Sequence, residues 1–325
     1  MRTIQRLYFF AVLLGFWGLS SPSFSQVANG GRAAFDFLKI SPITRAIGMG
    51  GAYTAIGDDV GSIYYNPAGL ASLLTCELNL TYLALYQSMN YESATFAYPL
   101  GESLPNFGGT AALGINFLQP GNLPRTNDQG VTVNGNGTFS SADEVFTFSY
   151  ARMITSGVHV GVSVNYMQQQ IDTVTSSLFD VNMGVVVLPP FDGMRIGVAL
   201  KNLGAQSLGF NLPFALDGGI SYRHYEIFSE QDDAALTAEA TLPIQPIEDP
   251  VGVKVGVEYD YKWVANRVAL RVGYEFLDKS LDGVGLALGA GYGLDLNGAV
   301  LYVDYAYAPA DIFGSAHRIS LTTKF

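Results

Sequence analysis

At 325 residues the chain is long enough for two ordinary domains or for a single all-β barrel. Charged residues form only 14 % of it, and aromatic residues form 13 %; soluble domains carry roughly 25 % charged residues, so this composition suits contact with lipid better than contact with water. With 28 acidic against 17 basic residues the net charge is −11, which excludes nucleic acid as a favoured partner.

The first 25 residues have the pattern of a secretory signal peptide. Arg2 and Arg6 precede an apolar run over residues 7–19, and a small-x-small cleavage site ends at Ser25. A membrane-anchoring helix is the alternative, but roughly 20 apolar residues are needed to span a bilayer. Removal of the signal peptide leaves 15 basic and 28 acidic residues, a net charge of −13. Cys76 is the single cysteine, so no intramolecular disulfide can form in the exported chain.

Residues 26–76 precede the first predicted strand and contain the glycine-rich stretch GMGGAYTAIGDDVGSIYYNPAGLA (48–71). A phosphate-binding P-loop would need a lysine after its glycines, and a dinucleotide fingerprint would need a glycine in place of Tyr53. The acidic pair Asp58 and Asp59 would also repel phosphate. The stretch is therefore not a nucleotide site.

The same stretch has the residues of a short, closely packed segment. Gly48, Gly50 and Gly51 permit backbone contacts that a side chain would block. Asn66 is a predicted N-cap, and Pro67 fits the first position of a helix. Because residues 26–76 are too few and too irregular for a domain of their own, we expect them to pack inside the larger region that follows.

From residue 77 onward, apolar and polar residues alternate with a period of two, which predicts antiparallel strands. In VGVKVGVEYDYKW (251–263), valines and tyrosines occupy one face, while Lys254, Glu258 and Asp260 occupy the other. Fourteen such segments are predicted: 77–87, 91–98, 108–118, 142–153, 158–170, 176–188, 193–201, 213–225, 233–243, 251–262, 266–277, 283–293, 297–308 and 316–325.

Three features favour a membrane barrel over a soluble two-sheet sandwich. The segments are mostly long enough for a tilted transmembrane strand, which needs roughly 9 to 11 residues. The chain also stops on a strand that ends in Phe325, which is similar to the terminal signal of outer-membrane barrels. Tyrosines stand near the ends of the apolar faces, where lipid headgroups would lie: Tyr82, Tyr86, Tyr166, Tyr222, Tyr274, Tyr292, Tyr305 and Tyr307. We therefore predict an all-β fold, a fourteen-stranded antiparallel transmembrane β-barrel over residues 77–325 in outer-membrane lipid, with residues 26–76 as a hatch in its lumen.

The longest connection, residues 119–141, follows the third strand and is predicted to lie outside the cell. It is polar, glycine-rich and without periodicity, so it is either a partner-contact loop or simply solvated chain. As a partner-contact loop, its candidate residues are Asn122, Arg125, Asn127, Asp128, Asn134 and Asn136.

Two sets of lumen residues have competing interpretations. Glycines 283, 285, 289 and 291 mark a kink or a close approach by the hatch, or else the tight inner face of a narrow barrel, which we favour. Lumen charges are expected to pair across strands rather than act as an acid and a base: Lys254, Glu258, Asp260, Arg267 and Arg271.

Enzymatic and metal-binding patterns are not found in the sequence. His159, His224 and His317 lie on separate predicted strands or turns, there is no cysteine cluster, and no Gly-x-Ser-x-Gly elbow occurs. We predict no catalytic residue, no metal site and no cofactor, and a protein that is not an enzyme.

The run FLKISPITRAIGMGGAYTAIGDDVGSIYYNPAGLA (37–71) closely resembles the N-terminal signature of PorV/PorQ-type outer-membrane proteins, within the wider FadL-like group of fourteen-stranded barrels. Tyr65 departs from it, because the family commonly has tryptophan there. The later Lys201–Gly204 (KNLG) also looks like a family element. The matching residues are Phe37, Leu38, Lys39, Ile40, Arg45, Met49, Gly50, Gly51, Ala52, Asp58, Asp59, Asn66, Pro67, Ala68, Gly69 and Leu70.

The resemblance implies a hatch that plugs the barrel, with a structural or gating role for the motif residues from Arg45 to Leu70. In the PorV branch the barrel serves type IX secretion, where it binds cargo proteins through their C-terminal sorting domains and passes them to the attachment machinery. The alternative is a FadL-type channel for hydrophobic small molecules such as long-chain fatty acids, and a structural barrel without transport is the third possibility. We expect a FadL-type transporter to show an apolar pocket between hatch and wall, and a gap or kink in the wall.

Overall fold

The computed structural model describes residues 33–85, 89–101, 108–121, 123–126, 137–246, 249–276, 285–309 and 315–325. The predicted signal peptide and the first residues of the predicted hatch lie outside this part of the chain. No helix within it is long and apolar enough to cross a membrane.

The dominant feature is a closed antiparallel barrel of fourteen strands. The strands are β1 Glu77–Ala84, β2 Asn90–Pro99, β3 Thr110–Gln119, β4 Leu123–Pro124, β5 Thr138–Phe139, β6 Ser141–Thr155, β7 Val158–Ile171, β8 Val174–Val187, β9 Met194–Gly204, β10 Ala215–Tyr225, β11 Asp232–Pro243, β12 Gly252–Trp263, β13 Asn266–Phe276, β14 Gly285–Asp295, β15 Val300–Pro309 and β16 Ser315–Lys324. β4 and β5 form a separate two-residue ladder, and each remaining strand pairs with its neighbours in the chain until β1 pairs with β16. The fourteen predicted segments are confirmed, with ends within three residues of those observed.

Alternating side chains explain why these strands close around a lumen. On β12, Glu258 and Asp260 are fully buried inside the barrel, while Val253 and Tyr261 are exposed on its outer surface. The outer surface carries mostly large hydrophobic residues, including Leu80, Phe148 and others along the strands. A surface of this kind is stable only against lipid, which confirms the membrane interpretation over the sandwich.

Short helices fill the lumen ahead of β1. They are a 3-10 helix at Asp36–Lys39, α1 at Thr44–Gly48, α2 at Ser62–Tyr65 and a second 3-10 helix at Pro67–Ser72. The predicted cap is confirmed, because the Asn66 side chain accepts a hydrogen bond of 3.1 Å from the backbone N–H of Ala68, with Pro67 at the first position. Residues 33–76 are called the hatch below.

The two ends of the barrel are distinguished by their connections. We call the end where β1 begins and β16 finishes the turn end, and the opposite end the loop end. Phe35, Phe37 and Ile40 of the hatch pack near the loop end against Leu83 and Tyr91 of the wall. α1 packs against β13, β14 and β15, and the second 3-10 helix packs against β6, β7 and β8, so the hatch touches opposite sides of the wall.

The seam between the first and last strands involves the hatch directly. The β1–β16 ladder runs from Glu77 opposite Lys324 to Ala84 opposite His317. Glu77 Oε1 lies 2.7 Å from Lys324 Nζ, and Glu77 Oε2 accepts a 2.9 Å hydrogen bond from the backbone N–H of Val60 in the hatch. One carboxylate therefore contacts both the closing strand and the hatch.

Candidate functional site

Six wall glycines form a belt around the hatch, which we call the glycine girdle: Gly161, Gly184, Gly197, Gly256, Gly273 and Gly289. A Cβ at Gly197 would lie 2.7 Å from the carbonyl carbon of Thr54 and 2.8 Å from Cα of Ala55. At Gly289 it would lie 2.9 Å from Cα of Gly48. Carbon atoms in ordinary contact are roughly 3.5–4.0 Å apart, so the wall has room for the hatch backbone only because these residues have no side chain.

The girdle corrects one sequence interpretation. The favoured interpretation of Gly289, a narrow inner face, is wrong: the residue lies against the hatch backbone, so the alternative of a close approach by the hatch holds there. Gly291 instead faces Asp304 and Arg271, and Gly285 has a positive φ with open space beside it. Gly283 lies outside the described residues.

Arg45 of the hatch is the centre of a buried group of ion pairs toward the turn end. Its Nε and Nη2 donate to the two carboxylate oxygens of Glu258 at 2.7 and 2.6 Å. Its Nη1 donates to Asp58 Oδ1 at 2.6 Å and to Asp59 Oδ2 at 2.8 Å. A bidentate guanidinium–carboxylate pair fixes both the separation and the relative orientation of the two groups. Arg45 therefore links the acidic pair of the hatch to Glu258 of the wall.

Glu258 joins two further arginines to this group. Arg271 Nε donates to its Oε2 at 2.7 Å, and Arg223 Nη2 donates to its Oε1 at 2.9 Å. We call the connected set the charge cluster: Arg45, Asp58, Asp59, Arg223, Asp233, Glu258, Asp260, Arg267, Arg271 and Asp304. Glu258, which is fully buried, would be unstable there without these partners.

Two groups of the hatch have shifted pKa values that fit this arrangement. Burial alone would raise the pKa of Asp58, but the charges of Arg45 and Arg223 outweigh it and hold that pKa below its ordinary value. Burial raises the pKa of Tyr53 well above its ordinary value, so its neutral hydroxyl donates to Asp59 at 2.5 Å. Both groups thus keep the charge state that the cluster requires.

The predicted pairing of lumen charges is confirmed for two pairs. Arg267 donates to both oxygens of Asp260, at 2.8 and 2.5 Å, and Arg271 pairs with Glu258. Lys254 lies 3.7 Å from a carboxylate oxygen of Glu275 on the next strand.

The other predicted hatch residues pack against the wall or within the hatch. Asn66 Nδ2 donates to the carbonyls of Thr54 at 2.9 Å and Val185 at 3.1 Å. Gly50 and Gly51 have positive φ values of 66° and 76°. The remaining motif residues are placed as follows: Met49 and Leu70 are fully buried, Pro67 and Ala68 lie against Gly161, and Gly69 lies against Gly57. The structural placement of these residues is therefore clear, while their gating role stays a prediction.

Sequence reasoning missed several partners of the hatch. Glu239 accepts hydrogen bonds from the backbone N–H groups of Tyr53 and Thr54 at 2.9 and 2.8 Å. Arg223, Asp233 and Asp304 belong to the charge cluster. The signal that could have identified all four is their inward position in the period-two pattern, because a charged residue facing a plugged lumen needs a partner.

Of the candidate partner-contact loop, the structure describes one predicted residue, Arg125. Its Nη2 lies 2.6 Å from Asp172 Oδ1, and both side chains are well exposed. The other five candidates, Asn122, Asn127, Asp128, Asn134 and Asn136, lie outside the described residues. The contact role of this loop stays a prediction.

A cavity of about 170 Å³ lies between the hatch and the loop end. Ile47, Gly50 and Gly51 line it from the hatch, and Phe214 and Asp249 line it near the loop end. Beside it, the β8–β9 ladder shifts register between Val181 and Met183, a bulge that places Asn182 and Asn202 on the cavity wall. The β2–β3 ladder, in contrast, runs without a shift from Asn90 opposite Gln119 to Pro99 opposite Thr110.

Within the described residues no group of three or more His, Cys, Asp or Glu side chains is arranged to hold a metal ion. The three histidines lie apart: His159 hydrogen-bonds Ser72 of the hatch, His224 stacks on Tyr222, and His317 hydrogen-bonds Tyr305. Within the described residues, the candidate functional features are therefore the contacts between hatch and wall and the cavity.

Comparison with known proteins identifies this architecture. No protein-family model matches the chain, and no curated protein matches it. The toluene transporter TbuX of Ralstonia pickettii has a TM-score of 0.58 at 14 % identity, over 90 % of this chain and 98 % of that one. The toluene transporter TodX of Pseudomonas putida has 0.55 at 11 % identity, over 86 % and 96 %. The monoaromatic hydrocarbon channel CymD has 0.54 at 13 % identity, over 90 % and 98 %. The chain therefore has the same closed β-barrel fold as these three proteins, and its apolar outer surface fits the predicted location in the bacterial outer membrane.

Proposed function

We propose that the protein binds and takes up small, largely apolar molecules through the cavity above the hatch. The cavity carries this proposal, because its volume of about 170 Å³ is close to the roughly 150 Å³ of an engineered apolar cavity that binds benzene. The fold neighbours named as toluene transporters and as a monoaromatic hydrocarbon channel support the same size of ligand. A molecule with one ring fits this volume, whereas a long-chain fatty acid needs more room.

Passage beyond the cavity requires the hatch to move. The glycine girdle leaves no space between hatch and wall at its six contacts, and the charge cluster holds the hatch below the cavity. The bulge at Asn182 adjoins the cavity and supports this proposal, because a FadL-type transporter is expected to have a gap or kink in its wall. Uptake would thus occur in two steps. The ligand binds in the cavity with the hatch docked, and its release on the far side of the hatch requires the hatch to move.

The test is uptake of labelled toluene by cells that carry or lack the gene. We expect uptake to fall on deletion and to return with the wild-type gene. Ala287→Leu, which fills the buried, cavity-lining side of β14, is expected to lower uptake, while Ala290→Leu on the lipid side of the same strand is the matched control. Equal uptake in the presence and absence of the gene would refute the proposal.

A role in type IX secretion is the second candidate, and the sequence run at 37–71 favours it. In this role, exposed loops of the barrel would bind the sorting domains of cargo proteins, and the hatch would only seal the lumen. Arg45, Asp58, Asp59 and Asn66 of that run all hold the hatch in place, which is compatible with a sealed barrel.

Two measurements separate this candidate from uptake. Loss of the gene is expected to reduce the secreted proteome, and native extraction is expected to recover proteins that share one C-terminal domain. An unchanged set of secreted proteins would exclude the shuttle function, whereas bound small molecules in the extract would support uptake.

A further inference from the structure

The cavity is lined differently on its two sides. Asn116, Asn165 and Asn182 lie on the arc from β3 to β8. Ile47 of the hatch faces Ala287 and Ala308 of β14 and β15, with which it forms a small apolar cluster. A ligand that fills this space therefore meets carboxamides on one side and hydrocarbon on the other.

Two of these carboxamides have an N–H₂ group with no acceptor among the described residues. Asn182 is 6 % exposed, and its Oδ1 accepts a 2.7 Å hydrogen bond from the backbone N–H of Asn202. That bond fixes the orientation of the amide, because a backbone N–H requires an oxygen, so Nδ2 is the atom left for the cavity. Asn116 is 3 % exposed, and its Oδ1 accepts a 2.9 Å hydrogen bond from the hydroxyl of Tyr64.

The ammonium groups that line the cavity do not favour an anion. Lys39 lies 2.8 Å from a carboxylate oxygen of Asp36 and 2.8 Å from one of Asp249. Lys201 lies 2.6 Å from Asp217.

Lys254 lies 3.7 Å from both Glu239 and Glu275. Together with the two lysines above, all three ammonium groups that line the cavity are already paired with carboxylates, of which Asp249 and Glu275 also line it. A carboxylate ligand would therefore have to compete with existing ion pairs. An ammonium ligand, in turn, would offer only donors to the donors of Asn116 and Asn182.

We propose that the ligand of this cavity is an uncharged amphipathic molecule, a single apolar ring or a chain of similar size that carries a carbonyl or ether oxygen. The oxygen accepts from Nδ2 of Asn182 or Asn116, and the hydrocarbon part packs against Ile47, Ala287 and Ala308. The inference rests on the proposed uptake function and narrows its substrate class from hydrocarbons to their oxygenated, neutral derivatives. A buried donor that a ligand leaves unpaired weakens binding, which is the basis of the selectivity.

The test compares probes of one shape by calorimetric titration of the full-length protein in detergent. Acetophenone and α-methylstyrene differ only in a carbonyl oxygen against a methylene group, while benzoate and benzylamine add a charge of either sign. We expect acetophenone to bind about tenfold more tightly than α-methylstyrene, the effect of about one hydrogen bond, and both charged probes to bind more weakly than acetophenone.

Variants assign the selectivity to the carboxamides. Asn182→Leu, which keeps the size of the side chain but removes its donor, is expected to reduce the preference for acetophenone, and the double variant with Asn116→Leu is expected to abolish it while α-methylstyrene still binds. Asn116→Leu is the second variant should the first fail to fold. Asn79→Leu is the control, because Asn79 is buried near the turn end, where it donates to Thr322 at 2.8 Å.

Each outcome separates the two proposals. Equal affinity for acetophenone and α-methylstyrene would overturn the substrate class and leave uptake of hydrocarbons standing. If benzoate or benzylamine binds most tightly of the four probes, the proposed substrate class is overturned as well. Failure of all four probes to bind would remove the proposed uptake function together with this inference.

Discussion

A methyl group added at Gly197 tests whether the glycine girdle holds the hatch. In Gly197→Ala the new Cβ would lie 2.7 Å from the carbonyl carbon of Thr54, about 0.8 Å closer than ordinary carbon contacts allow. Because the obstacle is backbone, the hatch has to shift away from β9. Overpacking of this kind costs about 1–3 kcal/mol, which raises the population of the undocked hatch by a factor of about 5 to 150.

Hydrogen exchange measured by mass spectrometry reads this population directly. The amides of Tyr53 and Thr54 are suitable reporters, because both donate to Glu239 when the hatch is docked. We expect their exchange to accelerate by that factor in Gly197→Ala. Gly218→Ala is the matched control, since Gly218 lies on the adjacent strand with no atom within 4 Å of an added Cβ. Equal exchange in the two variants would show that the hatch does not depend on the girdle.

Three further predictions concern the hatch. Arg45→Met leaves buried carboxylates without their partner, so we expect protease sensitivity of residues 33–76 to rise by the equivalent of about 3–5 kcal/mol, whereas Arg125→Met in the exposed loop should leave it unchanged. Asp58 has a lowered pKa, so its contribution to docking is present above its unfolded pKa of about 4 and is lost only as the pH falls through the lower folded pKa. Exchange of the hatch amides, corrected for intrinsic rates, should therefore be constant from pH 7 to 5. Acceleration of exchange within that range would contradict this assignment. Asn66→Ala removes the cap of the second 3-10 helix and two bonds to carbonyls, and a fall in the melting temperature with no change in the barrel's circular dichroism is the expected result.

The wall was predictable from sequence because its signal is local. Each strand alternates over its own length, so β12 could be recognised from residues 251–263 alone, and its inward charges were correctly expected to pair across strands. The number of strands followed from the same pattern, since every turn is marked by residues next to it.

The contacts of the hatch were not predictable in the same way. Arg45 and Glu258 are 213 positions apart in sequence, and nothing near Arg45 indicates which inward carboxylate it meets. The glycine at position 289 is explained by its contact with Gly48 of the hatch, which the sequence of its own strand does not reveal. The cap at Asn66 and Pro67, which depends on adjacent residues, was predicted correctly.

The carboxylate of Glu77 has a consequence for how the molecule assembles. Its two oxygens go to Val60 and to Lys324, and the residue before it, Cys76, exchanges backbone hydrogen bonds of 3.0 Å with Phe325, the last residue of the chain. Barrel closure and docking of the hatch thus depend on the same few atoms. The polypeptide gains these bonds only when β16 has paired with β1, so barrel closure and obstruction of the pore become one cooperative event.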